Sequence, residues 1–104
     1  MDIEFIEFAR HGRDIWGGVV AYIDPTTREE KYLQFATGEN GHGLKLWDPI
    51  EGKWNQILDS SQFSLPRRYD RARTKMTNFL RKNILLLTHA RVGAYPRRGT
   101  TAGG

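Results

Sequence analysis

Ten of the sixteen Lys and Arg residues of this chain lie between positions 67 and 98, and their clustering is its strongest chemical signal. They are Arg67, Arg68, Arg71, Arg73, Lys75, Arg81, Lys82, Arg91, Arg97 and Arg98. One acid, Asp70, shares the stretch, which leaves a formal charge of +9. Residues 1–66 hold six bases and eleven acids, a formal −5. Guanidinium and ammonium groups gathered in this way serve anionic partners, most often phosphate. Like charges four residues apart on a helix repel one another, and Asp70 alone does not neutralise Arg67, Arg71, Arg73 and Lys75. A chain that tolerates this repulsion is expected to use the charge.

Aromatic residues are the second candidate group. Trp16, Tyr22, Tyr32 and Trp47 fall in β-rich segments, with Lys45 beside them. Aromatic rings on a sheet, flanked by cations, can stack unpaired bases, each base contributing roughly 1–3 kcal/mol. The same rings could instead be buried against the helix, the C-terminal stretch or a second subunit, since Trp and Tyr are common in cores and interfaces.

Other chemistry has little support. The run Gly38-Glu39-Asn40-Gly41-His42-Gly43 lacks the phosphate-loop order G-x-x-x-x-G-K-[ST] and opens no helix, so it reads as a hairpin tip. His11, His42 and His89 are far apart and lack ligand spacing, so no metal is expected. The carboxylates Asp14, Asp24, Glu29, Glu30, Asp48 and Glu51 form no recognisable acid–base pair. A metal-dependent nuclease is the only enzymatic alternative, and no cofactor is implied. Ser60, Ser61 and Ser64 precede a helix, where capping explains them better than nucleophilic chemistry. The absence of cysteine excludes disulfides, thiolate metal sites and cysteine nucleophiles.

The elements that must position these groups are legible in outline. Residues 3–9 (IEFIEFA) read as a strand, followed by a turn at Gly12. Residues 14–23 read as a second strand, in which Gly17-Gly18 suggests a bulge or the close approach of another backbone. Residues 31–36 and 44–47 read as the third and fourth strands, and residues 53–58 could add a short fifth. A helix is expected from about Pro66 to about Lys82, because from Pro66 onward the apolar residues Tyr69, Ala72, Met76, Phe79, Leu80 and Ile84 recur at spacings of three and four. That is one face of a helix, with Arg67, Arg71, Lys75, Asn78 and Lys82 on the other. Ser64 is the expected N-cap and Pro66 an acceptable first-turn residue. Residues 84–92 could continue the helix or form a last strand, and their Leu content favours continuation.

Strand alternation sorts Val19, Ala21, Ile23, Leu33, Phe35, Leu44 and Leu46 onto one aliphatic face, the seat of the helix. Trp16, Tyr22, Tyr32, Gln34, Lys45 and Trp47 fall on the other. The expected fold is α+β: an antiparallel sheet of four to five strands followed by one basic amphipathic helix. Residues 1–96 form a single domain and 97–104 a disordered basic and glycine-rich tail.

The acidic first residues carry no leader pattern, and Ile84-Leu85-Leu86-Leu87 is too short to span a bilayer. The expectation is a soluble cytoplasmic protein without membrane contact, since the apolar helix face is needed for the core. The leading functional expectation is a non-catalytic nucleic-acid-binding protein, with single-stranded DNA or RNA preferred. Arg67, Arg71, Lys75 and Lys82 would contact phosphates, Arg97 and Arg98 would add long-range attraction, and the sheet aromatics would stack. The alternative is a small adaptor or inhibitor, of the kind found among phages and mobile elements, that docks on an acidic protein surface. Two internal outcomes also stand open. Glu4, Glu7, Glu29 and Glu30 could neutralise the helix, and the aromatic face could make a homodimer.

Overall fold

Each of the five β-branched and aromatic runs forms a strand, and the heptad-like run after them forms the helix. The computed structural model describes residues 1–93, with side chains through Thr88. The strands are β1 (Ile3–His11), β2 (Ile15–Ile23), β3 (Glu30–Ala36), β4 (Leu44–Asp48) and β5 (Lys53–Leu58). They form one antiparallel sheet in the order β1-β2-β3-β4-β5. Helix α1 (Tyr69–Gly93) packs across one face of that sheet. The fold is α+β.

The helix opens later than expected, and it continues through residues 84–92, the outcome their Leu content favours. Ser64 does not cap it: Ser64 sits in an isolated bridge with His42. The neighbouring bonds Gly43 N–H to Phe63 O (2.7 Å) and Leu65 N–H to Gly41 O (2.8 Å) tie this segment to the β3–β4 loop. Pro66 therefore lies in the connection, and the Arg68 carbonyl accepts the first helical bond, from Ala72 N–H at 2.8 Å. At the other end residues 84–92 are helical, because Ile84 and Leu87 keep the core-facing spacing that Ala72, Met76 and Leu80 begin.

The sheet face beneath the helix differs from the sorting above by the phase of one strand. Cross-strand register pairs Val20 with Leu33 and Gly18 with Phe35. Directly opposed residues point to the same side. Trp16, Val20 and Tyr22 therefore join Leu33, Phe35, Leu44 and Leu46 under the helix, and Val19, Ala21 and Ile23 face outward. Both phases of β2 are apolar, so composition alone did not fix its direction. Phe8, Phe63 and Leu65 complete the core with Ala72, Met76, Leu80, Ile84 and Leu87.

Gly18 is needed for that arrangement. A Cβ there would collide with the Glu7 carbonyl of β1 and sit 3.1 Å from the Phe35 ring. The close approach coincides with a register shift between Phe5 and Glu7, which leaves Ile6 outside the ladder and exposed.

Trp16 anchors the start of the helix. Its indole N–H donates to the Pro66 carbonyl at 3.2 Å, and its backbone N–H donates to Thr37 Oγ1 at 2.9 Å. Its ring stacks on Phe8 at 5.2 Å and meets Tyr69 at 5.9 Å. The Asp48 side chain holds the β4–β5 turn: Oδ1 accepts from Ile50 N–H and Glu51 N–H at 2.9 and 3.1 Å. That turn sets Trp47 opposite Trp54.

Candidate nucleic-acid interface

The sequence-predicted residues divide between two surfaces and the core. Trp16 is 0% exposed and Tyr22 6% exposed, both beneath the helix. Contrary to the expectation of stacking, both are core residues, because no base can reach a ring covered by α1. Tyr32 is 58% exposed and lies on the opposite, outward face with Trp47 and Lys45. Trp54, which the sequence analysis did not single out, is 40% exposed on that same outward face. Its signal was its place across the turn from Trp47, and the two rings meet edge-to-face at 5.4 Å. Arg97 and Arg98 fall outside the described residues.

On α1, Arg71, Lys75, Asn78 and Lys82 all project away from the sheet, within about 60° of one another at about 100° per residue. All four are exposed. From Arg71 to Lys82 the stripe runs about 16 Å at about 1.5 Å per residue. Arg73 and Arg81 lie toward the β1 flank. The Arg73 guanidinium sits 4.8 Å from the Phe5 ring centroid, and Arg81 Nε donates to the Met1 carbonyl at 3.2 Å. Lys75 lies toward the other flank, its ammonium 5.6 Å from the Phe63 centroid.

Pairing separates these cations into two groups. Arg67 meets Asp14 at 3.2 Å, Arg68 meets Asp70 at 3.3 Å and Arg81 meets Asp2 at 4.0 Å. Elsewhere Arg10, Arg13, Lys31 and Lys53 also have carboxylate partners. Among the described residues, Arg71, Arg73, Lys75 and Lys82 have none. Glu4 and Glu7, considered above as internal partners for the helix, are paired in register with Ala21 and Val19 and so face the other side of the sheet. Glu30 is engaged there too, accepting from the Tyr32 hydroxyl at 2.6 Å.

The chain matches no family model, no curated protein and no solved structure. Its chemistry must be read from its own residues.

Asp14 links the hairpin to the helix. It lies at φ 56° after Arg13 at φ 61°, a left-handed pair that turns β1 into β2. From there it meets both Arg10 (3.8 Å) and Arg67 (3.2 Å). Arg10 in turn donates to the Arg67 carbonyl at 2.7 Å. This network partly offsets the charge before α1, whereas the cations without a carboxylate partner among the described residues of the helix begin at Arg71.

Among the described residues, no group of three or more His, Asp or Glu side chains is placed to hold a metal ion. No described helix is long and apolar enough to cross a membrane. The shifted acids are structural. Asp24 is held below its ordinary 3.8 first by the hydrogen bond from Lys31 and then by Thr26 N–H. Asp59 is lowered by the Ser61 hydroxyl and backbone N–H.

Proposed function

We propose that this protein binds nucleic acid through the outward face of α1, without catalysis. The observation that carries the reading is the row Arg71, Lys75 and Lys82, cations without a carboxylate partner among the described residues. Surface helices ordinarily intersperse acids four residues from their bases. Here the one helical acid, Asp70, is taken by Arg68. A rigid row about 16 Å long can meet two to three successive phosphates, and Asn78 within it offers an amide to sugar or base edges.

The role of the rings changes in this reading. Tyr32, Trp47 and Trp54 lie on the face opposite the cations, so one short strand does not meet both surfaces at once. Phosphate contact is then the main source of affinity, and single-strand preference becomes a measurable property and not a premise.

The test is a titration of fluorescent single-stranded and duplex oligonucleotides at several salt concentrations. With about two to three phosphate contacts, log K should fall against log salt with a slope of roughly −1.5 to −2 for single strands and roughly −2 to −2.5 for duplexes. No binding at about 50 mM salt, or a slope near zero, would overturn the proposal. Protein partners captured from nuclease-treated lysate that depend on Arg71 and Lys82 would instead assign the stripe to an acidic protein surface.

A further inference from the structure

We infer that the outward face of the sheet is a second docking surface, and that its occupant is an extended polypeptide segment bearing arginine or lysine. The face is a trough. Its floor is β2, whose outward positions Ala21, Val19 and Gly17 are small. One wall is β1 and the other is formed by β3 and the β4–β5 hairpin. Three depressions of about 190, 200 and 310 Å³ open along it, one at each of those floor positions. Successive outward positions on a strand are about 6.8 Å apart. Alternate side chains of an extended peptide have the same pitch, so each could seat in one depression.

The walls determine the kind of side chain. Glu4 and Glu30 border the first depression across Ala21. Tyr32 and Trp47 border the second, and Glu7 and Trp54 lie on opposite sides of the third. Glu4 and Tyr32 are paired in register with Ala21 from its two sides, and a carboxylate facing an aromatic ring across one strand suits a guanidinium or ammonium group. The ring face attracts the cation, the carboxylate pairs with it, and the small floor accepts the aliphatic stem. Tyr32 reports the local field: its hydroxyl pKa is raised, first by the bond to Glu30 and further by Glu4. The three carboxylates Glu4, Glu7 and Glu30 outnumber Lys45 on this face and disfavour a polyanion there, which separates this surface from the helix stripe in function as well as position. Because it uses none of the residues of the stripe, the inference stands or falls independently of nucleic-acid binding.

The experiment is fluorescence anisotropy with a labelled twelve-residue peptide that alternates arginine and serine. The control is the same peptide with citrulline for arginine, isosteric and uncharged. The arginine peptide should bind the intact protein and the citrulline peptide at least about tenfold more weakly, with quenching of tryptophan emission. Glu4→Gln with Glu7→Gln and Glu30→Gln should weaken binding by about tenfold or more. These side chains are exposed, so a circular dichroism spectrum should confirm an unchanged fold. Trp54→Ala should also weaken it, whereas Arg71→Glu should not. Equal binding of both peptides, or indifference to the glutamate and Trp54 variants, would overturn the inference. So would a concentration-dependent sedimentation coefficient abolished by Trp54→Ala, which would assign the face to a second copy of this chain.

Discussion

The two sides of this molecule carry opposite signs on opposite scaffolds. On the helix side, charge is uniform and rings are absent from the outward stripe: Arg71, Lys75 and Lys82 stand with Asn78. On the sheet side, Tyr32, Trp47 and Trp54 stand among Glu4, Glu7 and Glu30. A helix spreads like charges along about 16 Å of rigid rod, which suits a regularly spaced polyanion. A sheet spaces residues in two dimensions, which allows an acid on one strand to face a ring two strands away. Net charge alone averages these surfaces to +4 and hides both.

The comparison can be broken most severely at the core the two faces share. Trp16 ties β2 to the helix start through the Pro66 carbonyl and packs on Phe8. Trp16→Ala should cost about 3–5 kcal/mol in chemical denaturation and abolish both kinds of binding together. Retention of either surface's binding at native strength would show that the faces are not held by a common core.

Reversing the helix charge should be selective. The triple variant Arg71→Glu, Lys75→Glu and Lys82→Glu should lower oligonucleotide affinity by at least about tenfold at about 50 mM salt and flatten the salt slope. Stability should stay within about 1 kcal/mol, because among the described residues none of the three has an ion-pair partner to lose and Lys75 gives up only its contact with the Phe63 ring. The complementary change, Trp54→Ala, should leave oligonucleotide affinity within about twofold. A loss of affinity on that substitution, with tryptophan quenching by single strands, would merge the two surfaces into one site.

The smallest expected effect concerns pH. The Asp24–Lys31 pair, at 2.8 Å, lowers the Asp24 pKa below 3.8 and raises that of Lys31 above 10.5. The lowered carboxylate contributes stability above its unfolded pKa and loses it as pH falls through the folded value. The raised ammonium contributes below 10.5 and loses its share as pH rises beyond its folded value. Denaturation midpoints of Asp24→Asn should therefore fall slightly below those of the intact protein at pH 7. The two proteins should converge as pH falls through the lowered folded pKa of Asp24. Both groups are solvent-accessible, so the shift should be small. A difference unchanged between pH 7 and pH 3 would show that the pair's charge is irrelevant.

The elements were legible in the sequence because each carried a periodic signal. The five strands and the helix stripe Ala72-Met76-Leu80-Ile84 lie where alternation and three-to-four spacing place them. The orientation of β2 was not legible. Gly18 has no side chain to mark its side, and Val19 and Ala21 are as apolar as Val20. Pairing with Leu33 and Phe35 decided it, and pairing is a non-local fact. That one reversal moved Trp16 and Tyr22 from the expected stacking face into the core. Ser64 misled for a related reason: its capping chemistry was sound, but the bridge to His42 claimed its backbone. The helix cations were readable as a stripe. Which of them would be neutralised was not, because Asp14 and Asp2 are distant in sequence from Arg67 and Arg81.

The strand order has a consequence for how the protein is made. Every strand pairs with its chain neighbour, so the sheet can assemble in the order of synthesis from short-range contacts alone. The helix that covers Trp16, Val20, Leu33 and Phe35 emerges after all five strands. Until it arrives, the growing chain presents one continuous apolar sheet face to the cell. A chain stopped at Pro66 should therefore partition into the insoluble fraction on expression and be rescued by supplying residues 67–93 in trans. Recovery of that truncated chain as a soluble, folded monomer would show that the sheet does not wait for its cover.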